Sequence, residues 1–282
     1  MKSKRTFVIK LAVIGVLIVF LLPELILATG LLQKHVLIGK EVYEVIGKSK
    51  SATECKTIIL GDSVARSLYP PSVLNRKYDS LASSASISMV GQYLLTKNIL
   101  EKNSGITEVV LIYHPVSFEN DLDWIWSFNY FLKPFYGGEY MRYISKTAEK
   151  RIRKISCWLF SVLPIVKFSN ISPEVENYAG FERNGTIGKT YMPSDLSAEY
   201  LVKIKKMLDE KKIRFRVISP RLDEKYKKTD SSKFRDVIKK SGLEYAFSGY
   251  FDFSYMASEY FSDHVHYKDA KILGDDPFEL GK

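Results

Sequence analysis

The strongest constraint on this chain is an apolar run near its N-terminus. Lys2, Lys4, Arg5 and Lys10 precede a stretch from Leu11 to Leu32 whose one formal charge is Glu24 and whose one helix breaker is Pro23. About 20 apolar residues cross a bilayer as a helix, so this stretch is just long enough. Flanking positive charge stays on the cytoplasmic side, which places everything from about residue 33 onward outside the cytoplasm. A cleaved signal peptide is the competing reading, because Ala28 and Gly30 have the small-residue spacing of a cleavage site. Both readings export the remainder. Residues 1–33 are therefore expected as an anchor, 34–54 as a polar linker and 55–282 as one domain. Export also sets nucleic acid aside as a partner for a chain whose 42 Lys and Arg against 32 Asp and Glu give a net charge of +10.

Beyond the linker, short apolar runs alternate with helical spacing. Thr57–Leu60, Tyr78–Ala82, Glu108–Tyr113 and Arg214–Ile218 read as strands, the third being the clearest. Met89–Leu100, Ser197–Lys212 and Ser231–Ser241 read as helices, with Gly242 placed as a C-terminal cap. Strands alternating with helices predict an α/β fold with a parallel sheet. Residues 118–196 break the rhythm. They hold a cluster of aromatics, a basic amphipathic stretch over Lys146–Lys154 and an apolar run over Ile155–Phe168 interrupted by Pro164. The whole segment is expected as a helical, aromatic insertion over the sheet, with Trp124 and Trp126 as candidate substrate contacts.

Ligand sites in open parallel sheets lie at the carboxyl ends of the strands. The first strand ends in Gly61-Asp62-Ser63, where a sharp turn would leave Ser63 at a helix start with its hydroxyl and its N–H exposed. A plain helix cap is the bland reading of the same serine. Of the four histidines, His35 adjoins the apolar run, and His114 ends a strand as a buried residue or a pocket wall. His264 and His266 share the segment Phe261–His266 with Asp263. Asp263 and His266 are spaced so that a carboxylate could orient the imidazole from one helical turn; His264, adjacent to Asp263, is expected to take no part in proton transfer.

The strand–Gly-Asp-Ser opening and the Asp263-His264-Val265-His266 ending resemble the SGNH/GDSL esterase–lipase superfamily over roughly Thr57–Leu273, minus the insertion. The resemblance implies a flavodoxin-like three-layer sandwich and a Ser63-His266-Asp263 triad with no cofactor and no metal. It also implies oxyanion donors beside Ser63. Leu81–Ser86 stands where the family has a glycine, with Ser84 as the candidate, and Asn120-Asp121 stands nearest to the family's Gly-x-Asn-Asp, with Asn120 as the candidate. Membrane-tethered members with this layout act on O-acyl groups of cell-surface polysaccharides, as esterases or acyltransferases, the latter implying a membrane protein as acyl donor. The positive net charge suits an anionic glycopolymer. The rival from another class is an inert, tethered glycan-binding or scaffold domain of a cell-envelope assembly.

Other motifs are set aside. Gly47-Lys48-Ser49 lacks the upstream glycine and strand of a phosphate loop, and no Gly-x-Ser-x-Gly surrounds Ser63. Asp263, His264 and His266 have no evident further ligand for a metal. Two cysteines, Cys55 and Cys157, allow at most a single bridge.

Overall fold

The computed structural model describes residues 2–28, 39–124, 126–135, 138–155, 190–274, 276–278 and 280. Four strands form one parallel sheet: β1 (Thr57–Gly61), β2 (Tyr78–Ser80), β3 (Glu108–Ile112) and β4 (Arg214–Ile218), in the order β2-β1-β3-β4. Ile58–Leu60 and Val109–Ile112 are fully buried. Continuous apolar runs of this kind are what a parallel strand needs when both of its faces are covered. β4 lies at the edge and alternates, burying Phe215 and Val217 while Arg214 and Arg216 reach outward. Arg216 Nε donates to Glu108 Oε1 at 2.7 Å, tying β4 to β3 near their starts.

Helix α1 spans Lys2–Ala28, α2 Lys40–Ser49, α3 Ser63–Leu68 and α4 Ser88–Lys102. Further on come α5 (Lys146–Ile155), α6 (Asp195–Glu210) and α7 (Ser232–Lys240), with a two-stranded parallel pair β5 (Leu222–Asp223) and β6 (Tyr255–Met256). α4 and α6 pack on one another and against the sheet. Leu201, Ile204 and Leu208 of α6 are fully buried, on the one face that helical spacing gives them. α6 starts two residues before the expected Ser197 because the Ser194 hydroxyl accepts the N–H of Ser197 as a cap. Gly242 closes α7 with φ +65°, as a C-terminal cap should.

The polar linker expected over residues 34–54 is corrected over 40–49, which form α2. Val42, Val45 and Ser49 recur at helical spacing and are buried, and α2 packs on α4. The remaining positions of that segment are mostly polar, so its composition hid a one-sided apolar face.

The expected insertion is part of the core from its first residue. Phe118 is buried edge-on to Tyr113 and Phe234. A π-helical turn over Phe128–Leu132 buries Phe128, Phe131 and Leu132, so these aromatics are packing groups. α5 buries Ala148 and Ile152, one turn apart. The apolar run over 156–168 and Cys157 lie outside the described residues. The chain returns at Thr190, which bridges Asp230.

α1 runs 27 residues without a break. Phe7, Leu11, Ile14, Ile18 and Leu22 are all exposed and belong to no core. The described side chains end at Leu22, and the last four residues of the expected span, 29–32, lie outside the described residues. Among the described residues no helix is long and apolar enough to cross a membrane.

Candidate active site

The carboxyl end of β1 sets the position of the nucleophile candidate. A Cβ on Gly61 would run into the Ala65 side chain and the Ile112 carbonyl, so only glycine lets β1 turn into α3 here. The Gly61 carbonyl accepts from Ser83 N–H at 3.0 Å and from the Gln92 amide at 2.8 Å. The turn is therefore held from the β2 side and from α4.

Asp62 is the fastening of this turn. Its Oδ1 accepts the N–H groups of Val64 and Ala65, which caps α3. Its Oδ2 accepts the N–H of His114 at 2.8 Å and the hydroxyl of Ser117 at 2.6 Å, both beyond the end of β3. Burial raises its pKa, and the bonds from Ser117, His114 and Ala65 oppose that. Four donors and no facing donor-acceptor conflict suit the ionised form.

Ser63 follows as the first residue of α3, so its N–H has no acceptor within the helix. Its Oγ lies 2.7 Å from His266 Nε2, and His266 Nδ1 lies 2.7 Å from Asp263 Oδ2. The carboxylate at Nδ1 assigns the proton to that nitrogen and leaves Nε2 to accept from the Ser63 hydroxyl. Asp263 Oδ1 also accepts the N–H groups of Val265 and His266. Burial alone would raise the Asp263 pKa, but the bonds from His266 and Val265 outweigh it and hold the carboxyl below its ordinary value. The sequence placed this pair on a helical turn. It lies instead on a loop closed by Phe261 bridging Tyr267 and by Ser262 N–H donating to His266 O. Side chains of His266 and Asp263 are about 41% and 50% exposed, so the group opens to solvent.

The two other oxyanion candidates fare differently. Ser83 continues the pairing of β2 along β1, which sets Ser84 beside the nucleophile turn. The Ser84 hydroxyl accepts Ser86 N–H and keeps its own proton, so both its O–H and its main-chain N–H remain donors it can offer. Asn120 is corrected. It is fully buried, its amide donates to Ala85 O and accepts from Leu122 N–H, and a side chain with no exposed surface cannot meet a substrate oxyanion. Trp124 and Trp126 do not line the groove beside Ser63. Trp126 is 47% exposed and stands edge-on to Tyr130.

His114 is buried, its Nδ1 accepting Val116 N–H at 3.3 Å and its Nε2 meeting no partner among the described residues. Burial, with His266 adding to it, pushes its pKa down to about 3, so it stays neutral. The sequence reading missed a second pair. His264 Nδ1 lies 2.8 Å from Oδ2 of Asp223, a fully buried residue that also accepts from Lys225 N–H and the Ser258 hydroxyl. No spacing in the chain signals it, because 41 residues separate the partners. Among the described residues no group of three His, Cys, Asp or Glu could hold a metal, and Cys55 carries a free thiol that donates to Asn75 O. Compared with models of known protein families, with curated proteins and with solved structures, the chain matches none.

Proposed function

We propose that this chain is a serine esterase or O-acyltransferase of the SGNH type, acting on short acyl esters of a cell-surface polysaccharide. The observation that carries the reading is the unbroken relay from Ser63 Oγ through His266 to Asp263, with both contacts at 2.7 Å. The parallel sheet with the relay at the carboxyl ends of its strands fits a flavodoxin-like sandwich.

Each step follows from the atoms in place. As Ser63 Oγ attacks the ester carbonyl, its proton passes to His266 Nε2, and Asp263 supports the imidazolium. The new oxyanion is met by the N–H of Ser63 and, in this reading, that of Ser84. His266 then gives its proton to the departing alkoxide, leaving an acyl-serine. Water or a second sugar hydroxyl yields a proton to the same nitrogen and attacks the acyl carbon, and His266 returns that proton to Ser63 Oγ as the bond to the acyl group breaks. The acceptor alone separates hydrolysis from transfer, and a membrane acyl-donor protein would supply the acyl group for transfer.

The reading includes an anchor over Leu11–Leu32, with residues from about 33 onward outside the cytoplasm. What favours it is that Phe7, Leu11, Ile14, Ile18 and Leu22 of α1 are exposed and pack on no core, an apolar surface that needs a cover.

Reaction with a fluorophosphonate tests the proposal, because only an activated serine reacts rapidly. Ser63→Ala and His266→Ala are each expected to abolish labelling and to lower ester turnover by several orders of magnitude, since the residues act as a unit. Asp263→Asn should lose as much or less. Turnover unchanged in Ser63→Ala, or a wild-type chain that never labels, would favour the inert glycan-binding domain instead.

A further inference from the structure

A groove borders Ser63, and His266 and Asp263 are not among the residues that line it. It has a volume of about 330 Å³, with α2 on one side and α3 with the following loop on the other. Glu41, Glu44, Arg66, Ser67 and Ser72 line it beside Ser63, and Val45, Pro70 and Pro71 join them, so that polar and apolar surface are about equal. Glu41 is 15% exposed and sits 3.4 Å from the Arg66 guanidinium. Tyr130 of the insertion also donates its hydroxyl to Glu41. Glu44 stands exposed at the rim.

We propose that this groove is a subsite for the hydroxyl groups of an uncharged sugar ring whose short acyl ester is delivered to Ser63. The proposal rests on the ester chemistry above and narrows its substrate. Vicinal hydroxyls donate to carboxylates and accept from a guanidinium, and the groove holds both kinds of partner within one small volume. An anionic sugar would meet two carboxylates against one guanidinium. Lys48, whose ammonium donates to the Pro71 carbonyl at this groove, is paired with Asp79 and so offsets this little. The expectation of an anionic polymer from net charge thus gives way, at the reacting ring, to local charge of the opposite sign. The insertion enters the site through Tyr130 and Glu41, not through a tryptophan platform.

The test uses the full chain in detergent with three acetyl esters: p-nitrophenyl acetate, a mono-O-acetyl methyl glucoside and the matching glucuronoside. Wild type should turn over the glucoside with a kcat/KM about tenfold or more above the glucuronoside, the scale of one charged hydrogen bond. Glu44→Gln, at the exposed rim where the fold does not depend on it, should lower the glucoside to p-nitrophenyl acetate ratio of kcat/KM several-fold and narrow the gap to the glucuronoside. Glu41→Gln should do the same more strongly. A wild-type preference for the glucuronoside, or equal losses on all three esters in both variants, would overturn the subsite while leaving the ester chemistry standing. Failure of wild type to turn over p-nitrophenyl acetate or to label with a fluorophosphonate would remove the chemistry on which the subsite rests.

Discussion

His264 Nδ1 lies 2.8 Å from Asp223 Oδ2. Two positions further along the same loop, His266 lies 2.7 Å from Asp263. The loop therefore carries two imidazole–carboxylate pairs of different kinds. One faces Ser63, and the other fastens the loop to β5. His264 also holds φ +68°, a left-handed backbone that L-residues with a side chain adopt at a cost of about 1–2 kcal/mol. The fastening to Asp223 compensates that strain.

His264 is accordingly expected to act by positioning. His264→Ala should lower kcat on p-nitrophenyl acetate about tenfold while Ser63 still labels with a fluorophosphonate, more slowly. His264→Gly should be more stable than His264→Ala by about 1 kcal/mol, because glycine removes the backbone strain and both lose the Asp223 bond. Thermal melts of the two variants check the order. Equal stability would show that the backbone conformation there is unstrained.

The turn from Gly61 to Ser63 is expected to be the least tolerant part of the fold. Asp62→Ala would leave the N–H groups of Val64, Ala65 and His114 and the Ser117 hydroxyl without their acceptor, all in a buried place. A loss of about 3 kcal/mol or more is expected from such unpaired donors. Gly61→Ala should be at least as harmful, since its Cβ meets main chain at Ile112 that cannot yield. Urea midpoints at constant m-value measure both.

His114 supplies a pH dependence with a definite sign. Its folded pKa of about 3 lies below the ordinary value of about 6.5, so between those values the unfolded chain binds the extra proton. Folding stability from this group is full above about pH 6.5 and falls by about 1.4 kcal/mol per pH unit down to about pH 3. His114→Asn keeps an acceptor for Val116 N–H and cannot be protonated. It should be less stable than wild type at pH 7.5 and lose less on acidification, so that the two curves converge or cross below pH 6. Parallel curves would mean that the imidazole is reached by solvent.

Topology gives the last test. Protease added to intact cells or spheroplasts is expected to digest the domain that follows α1. Complete protection would overturn the anchored, exported arrangement.

Much of this was legible in the chain itself, for local reasons. The strands at Thr57–Gly61 and Glu108–Ile112 announce themselves because a doubly covered parallel strand must be apolar throughout. Ser63 was legible because a sharp strand-to-helix turn needs Gly61, and Asp263 with His266 because three residues of separation lets one loop join them. The loop and a helical turn share that spacing, so the contact was readable although the backbone was not. The face of α2 was obscured because few of its residues are apolar, and burial there depends on α4 being present to receive Val42 and Val45.

Local pattern ended where partners come from distant segments. The sequence by itself determined the α/β class, the sharp turn that presents Ser63 and the short-range pairing of Asp263 with His266. Only the tertiary structure decided that Asp62 fastens β1 to the chain beyond β3, that Asp223 takes His264, that Asn120 is sealed away and that Glu41 joins Arg66 beside Ser63. The reason is physical. A hydrogen bond or ion pair between residues tens of positions apart exists only once the sheet has aligned the strand ends, and no periodicity or composition along the chain encodes which carboxylate will then stand nearest.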